Sequence, residues 1–272
     1  MVQHRPQSHW SYSAWRQLLL TSLVILVCGA TIAWLQIPQL QQLQTKSQTA
    51  SVEAIQQDLA AEKLRLELLQ KFPTFGFDNL IADWSFLSFL QYFGDQPARQ
   101  KTDYSLSPEF FEVVLRRDPY FIQAYPFLST SASLYAGLPE RSTQLMQSAL
   151  QSLQPNVPPD SYTVWRQLGI DQLLFLGDAA AARHSFLMAA EWAAQSSDPA
   201  SQAAAQISQR TADFLARNPN STAAQITAWV MVLGNAPDDR TRQMAVQRIE
   251  ALGGKLTRQP NGSYSIDFPS AN

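Results

Sequence analysis

The feature that most constrains this chain is an uncharged run close to its start. From Leu18 to Leu35 the sequence reads LLLTSLVILVCGATIAWL, and Gln36 and Ile37 extend it. At ~1.5 Å per residue, a helix of that length covers roughly the ~30 Å hydrocarbon core of a bilayer. Trp15 and Arg16 precede the run, Trp34 closes it and Pro38 breaks it. Indoles and cations collect at headgroup level, so Trp15, Arg16 and Trp34 are the expected interface anchors. Residues 18–37 therefore read as a transmembrane anchor. A cleaved signal peptide is the competing reading, but its apolar core is typically ~7–15 residues, and no small-x-small site precedes the Gln-rich segment here. A lipid-modified cysteine fits less well, because Val27 precedes Cys28 and the apolar run continues past it. Arg5, Arg16 and the amino terminus lie before the run, and only Lys46 follows it closely. Residues 1–17 are thus expected to be a cytoplasmic tail, with the bulk of the chain periplasmic, lumenal or extracellular.

The remaining residues have the composition of a globular protein: the 272-residue chain is 46% hydrophobic and 15% charged. A net charge of −2 without long runs of like charge argues against a nucleic-acid partner. Cys28 is the single cysteine, which excludes an intramolecular disulfide and a Cys-based metal site. His4 and His9 lie in the tail and His184 stands alone, so no metal centre is expected. There is neither a phosphate-cradling glycine loop nor a nucleophile elbow, and the expectation is a non-enzymatic protein without a cofactor.

Residues 38–71 are rich in helix formers, with Val52, Ile55, Leu59, Leu66 and Leu69 in an a/d heptad and Glu62 in the missing core place. They predict a membrane-proximal helix whose stripe packs on its own domain, the alternative being a coiled-coil stalk that makes a homodimer. Phe72-Pro73 and Gly76 end it. The following FDNLIADWSFLSFLQYFGD is apolar on every face and predicts a helix buried on all sides. Asp83 within it would need a partner, with Arg116 and Arg117 as candidates. Segment 95–106 reads as a polar loop. Ser107-Pro108 opens the next helix, Asp118-Pro119 closes it, and further helices follow the same punctuation: after Leu138-Pro139, after Pro158-Pro159-Asp160, after Asp178, then Pro199 to Arg217, Ser221 to Leu233 and Pro237 to Leu252. In the tail of the chain, Asn261-Gly262 between Leu256 and Tyr264, Ile266 predicts a small β-hairpin packed on the last helix, the alternative being pairing with a partner's strand.

One segment carries a repeat pattern: Trp165, Leu168 and Gly169, then Gly177, Ala182, Phe186 and Ala189, with Asp198-Pro199 at its close. It resembles a tetratricopeptide repeat, slightly long at its C-terminal end. Tyr120 to Pro155 resembles a poorer copy, with Tyr125 and Leu128 in the Trp and Leu places. The tethered, Gln-rich arrangement is also similar to cyanobacterial single-pass membrane proteins with such domains. The resemblance implies a curved solenoid of antiparallel helix pairs over 72–217, followed by a helix pair over 218–254 and the hairpin and tail over 255–272. It also implies a concave groove that binds a partner protein, lined by Thr163, Arg166, Ile170, Leu173 and Tyr125. The expected fold is therefore all-α with a membrane helix, a stalk, a TPR-like solenoid and a terminal hairpin. The expected function is a membrane-tethered interaction module: an assembly factor, scaffold or accessory subunit contacting protein and bilayer. The alternative is an enzyme with a carboxylate site around Asp83, completed by Glu109 or Glu112.

Overall fold

The computed structural model describes Trp15 and residues 20–36, 50–236, 239–258 and 264–267. It divides into two compact units, Met1–Ala50 and Ser51–Asn272. In the first unit, helix α1 covers residues 20–36 and is exposed at every position. Its Thr31 hydroxyl donates to the Val27 carbonyl at 2.7 Å, the usual way an apolar helix absorbs a hydroxyl. Trp15 and Trp34 are both exposed. Among the described residues no helix is long and apolar enough to cross a membrane. Leu18, Leu19 and Ile37, which complete the expected anchor, lie outside the described residues, as does Arg16.

The second unit is helical up to a final pair of strands. Helix α2 (Val52–Lys71) starts on Ser51, whose Oγ accepts from the Ala54 N–H at 3.3 Å. Its heptad stripe turns inward after exposed Val52: Ile55 and Leu66 are buried, and Leu59 and Leu69 pack against the main core. Glu62, in the gap of the stripe, pairs with Arg65 at the edge. Helix α2 lies against helix α5 (Ser107–Arg117) of the same chain.

Helix α3 (Asp78–Gly94) departs from expectation. Ala82, Ser85, Phe89 and Tyr92 are buried, but the opposite side is not. The packed side of α3 meets α5 together with Phe121, Phe127 and Tyr135, and a pattern apolar all round does not say which side that is. The expected polar loop contains a short helix, α4 (Gln96–Lys101), capped by Asp95. Arg99 on α4 is buried, stacked 4.0 Å from the Tyr92 ring centre, and donates to the Asp103 carbonyl at 2.9 Å. Its position over an aromatic face is what lets a polar segment join the core.

Helix α5 supplies the densest apolar face, with Phe110, Phe111, Val113, Val114 and Leu115 buried. Phe111 meets Phe89 edge-on, ring centres 4.5 Å apart. Each such side chain contributes about 1.5–3 kcal/mol on burial. Helix α6 (Ala124–Leu128) runs into a π-helical turn over Ser129–Tyr135, and α7 (Pro139–Leu150) follows. Helix α8 (Tyr162–Asp171) runs into a second π-helical turn over Gln172–Leu176, stopped by Gly177 at φ 70°. Helices α9 (Ala179–Ala194) and α10 (Pro199–Arg217) are capped by Asp178 and Asp198, as the punctuation predicts. Helices α11 (Thr222–Asn235) and α12 (Asp239–Ala251) share a second cluster around Trp229 and Ile249. Strands β1 (Lys255–Arg258) and β2 (Tyr264–Asp267) pair antiparallel with Leu256 opposite Ile266, and Leu256 packs against that second cluster. The Asn261-Gly262 turn falls outside the described residues.

Candidate interaction surface

The residues expected to line a groove are not equally available. Ile170 and Leu173 are part-buried against a small cluster of Ala182, Phe186, Ala212 and Leu215 from α9 and α10. Thr163 donates to the Asp160 carbonyl at 2.7 Å, a bond within its own turn. Arg166 is half-buried, with a buried Nε lacking a protein acceptor. Tyr125 does not belong with them. It is 1% exposed, and its hydroxyl donates to the Pro119 carbonyl at 2.7 Å, so it is a core side chain with no surface for a partner. Thr163, Arg166, Ile170 and Leu173 do share α8 and its continuation, with Ile170 and Leu173 turned toward α9 and α10.

Asp83 and its expected companions form no enclosed site. Asp83 is exposed on α3. Glu109 is part-buried, and burial pushes its carboxyl up from the ordinary range. Glu112 instead pairs with Arg141 at 3.1 Å. Arg117, proposed above as a partner of Asp83, pairs with Asp78.

A different carboxylate is buried, and nothing in the pattern of the sequence marked it. Asp171 closes α8 and has no solvent exposure. Ser129 donates to its Oδ1 at 2.6 Å, and Ser133 and Ser142 donate to Oδ2 at 2.7 and 2.9 Å. Gln167 donates to the Ser129 hydroxyl at 2.8 Å. Burial pushes the Asp171 carboxyl up, and the hydroxyl donors pull it back. The three serines come from the first π-helical turn and α7, and Asp171 abuts the second π-helical turn. The set is a knot joining three segments through one polar centre, closed to any substrate. Among the described residues no group of three His, Cys, Asp or Glu side chains could hold a metal.

The surface that stands out is the turn between α2 and α3 and the outer side of α3. Phe72, Phe75 and Phe77 project from the turn, with Phe75 83% exposed. Leu80, Trp84 and Leu87 continue outward along α3, Trp84 at 60% exposure. With ~150–250 Å² per aromatic side chain, these six expose on the order of 700 Å² of apolar surface, above the ~300–600 Å² of the largest patch on a typical monomer. Trp84, Leu87, Ser88, Leu90 and Gln91 line an open hollow of about 460 Å³ there.

The turn is held rigidly. Arg117 reaches from α5, donating through Nη2 to the carbonyls of Leu69, Gln70 and Phe72 at 2.6, 3.0 and 2.8 Å, and through Nη1 to Asp78 at 3.1 Å. It satisfies the free carbonyls at the end of α2, where a cation is also favoured by the helix dipole. Thr74 donates to the other Asp78 oxygen at 2.8 Å, and this bond, with Arg117 behind it, holds the Asp78 carboxyl below the ordinary range. The sequence pattern marks Phe72-Pro73 and Gly76 as a helix break and Phe77 as the start of a buried helix; the available signal was three phenylalanines within six residues of a turn, where a core would not reach all of them.

Comparison of the chain with family models, with curated proteins and with solved structures found no match.

Proposed function

We propose that this protein is a membrane-tethered, non-enzymatic interaction module that holds a partner protein at a bilayer, as an assembly factor, scaffold or accessory subunit. The observation that carries the reading is the exposed outer side of α3. Leu80, Trp84, Leu87 and Gln91 are spaced 4-3-4, the spacing of a seam that receives an amphipathic helix. Its occupant is accordingly an amphipathic helix of the partner. The tether is the apolar run of residues 18–37, and its described part, 20–36, is helical with every side chain exposed. The segment before it is assigned to the cytoplasmic side.

The finer reading of the domain is a solenoid of tetratricopeptide type. Support comes from the α8 and α9 pair: a Cβ on Gly169 would lie 3.2 Å from the Phe186 ring, so close pairing of the two helices depends on glycine there. The π-helical turn at Gln172–Leu176 adds one residue to the first helix of the pair.

Photo-cross-linking from position 84 or 87 in native membranes tests the function. The expected result is a stoichiometric partner cross-linked through a helical segment, lost in a Trp84→Glu variant that remains folded. A chain that runs alone under gentle detergent, or a partner retained in full by Trp84→Glu, overturns it.

A further inference from the structure

The Phe72 to Phe77 turn combines an unusual backbone with exposed aromatic rings. Phe75 sits at φ 51°, in the left-handed region that bulky residues rarely adopt, directly before Gly76 at φ 90°. In return its ring packs on nothing, being 83% exposed. Such a fraction also says something about shape: a side chain on a flat or hollow face loses more of its surface to neighbours, so the phenyl protrudes. Phe72 and Phe77 flank it, both more than half exposed. The acid nearest the tip, Asp78, is engaged by Thr74 and Arg117, and exposed Lys71 precedes the first phenylalanine. The result is a stiff, convex, apolar point with a cation beside it and its adjacent acid neutralised. A convex point of this kind needs a medium that flows around it, with phosphate at its rim for the lysine.

We propose that Phe72, Phe75 and Phe77 form a wedge that inserts into the interfacial zone of a lipid bilayer, fixing the orientation of the α3 seam toward its partner. The proposal rests on the tether reading above, because only residues 38 to 71 separate the apolar run from Phe72. That short tether confers a high effective concentration of tip at the bilayer, so three phenylalanines suffice where a free protein would need a larger apolar or charged surface. Lys71 adds an attraction to anionic headgroups that is screened by salt.

The test uses the full chain in phosphatidylcholine and phosphatidylglycerol nanodiscs, with Cys28→Ser and a single spin label at Phe75→Cys or, as a control, at the exposed Gln206→Cys on α10. The expected result is that the label at 75 is relaxed by oxygen and shielded from a water-soluble nickel chelate, while the label at 206 shows the reverse. A label at 75 in water, on a chain that resists alkaline extraction, overturns the wedge and leaves the tether standing. A label at 75 in the apolar zone, on a chain that alkali removes, supports the wedge and overturns the tether. A chain that never joins the bilayer overturns both. Short-range coupling between labels at 75 on two copies assigns the tip to self-association and overturns the wedge as well.

Discussion

Replacing Arg117 by methionine isolates what the brace at the α2–α3 turn is worth. Methionine keeps the packing of the aliphatic stem and removes the guanidinium. The Nη2 group carries two protons shared among the carbonyls of Leu69, Gln70 and Phe72, so about two full charge-assisted hydrogen bonds are lost there, together with the solvent-screened Nη1 bond to Asp78, which adds little. At ~1.5–3 kcal/mol for such a bond, and with the Phe72 carbonyl able to take water instead, the loss is about 3 kcal/mol. Methionine also removes Arg117 Nε, a buried donor without an acceptor, which returns about 1 kcal/mol. The net expectation is a destabilisation of about 2 kcal/mol in urea unfolding followed by tryptophan fluorescence, with an unchanged slope. Because the lost bonds are local to the turn, hydrogen exchange offers the sharper assay. The Phe77 amide, which donates to the Thr74 carbonyl at 2.9 Å, should exchange ~30-fold faster, the factor that 2 kcal/mol implies. Arg117→Lys keeps the charge and lacks the fork, so it should recover less than half of the loss. Wild-type exchange across residues 72–81 in Arg117→Met would refute the brace.

Two other substitutions test the interior. Asp171→Asn should flatten a pH dependence of stability: burial raises the folded-state value above the ordinary 3.8, so the wild type loses stability as pH rises from there through the raised value, and the neutral amide does not. Unfolding free energies from pH 4 to 8 should therefore converge at the acid end, and parallel curves would sink the idea. Gly169→Ala should destabilise by up to ~2 kcal/mol, since the new methyl presses on Phe186 and the overpacking exceeds the ~1 kcal/mol helix gain. Gly234→Ala, at a helical glycine with nothing within 4 Å, should stabilise instead. Equal thermal shifts in the two variants would contradict the packing argument.

How much of this was legible in the sequence depends on whether the deciding contact is local. Helix α10 follows directly from Asp198-Pro199 at one end and Arg217 at the other, because caps and first-turn prolines act within a few residues. The α2 stripe is legible for the same reason, as its periodicity names the buried face. Helix α3 has no such face to name. Its side chains are apolar all round, so burial on one side and exposure of Leu80, Trp84 and Leu87 on the other were settled by where α5 docks. Helix α4 was hidden because its one large contribution to the core is an arginine. The Asp171 knot was hidden more deeply. Ser129 and Ser142 lie 42 and 29 positions away from it, and no spacing rule connects serines on separate segments to one carboxylate. The π-helical turns are similarly invisible to a search tuned to 3.6 residues per turn.

The Arg117 brace also sets an order of events. The Phe72 carbonyl it holds lies 45 positions earlier in the chain, so a nascent polypeptide emerging amino-terminus first carries the three phenylalanines well before it carries the residue that shapes their turn. Until α5 docks, the segment is a pliable hydrophobic stretch; afterwards it is a fixed point. The phenyl rings are thus presented in their strained arrangement only by chains in which α2, α3 and α5 have already come together, making the shape of the tip a certificate of completed folding.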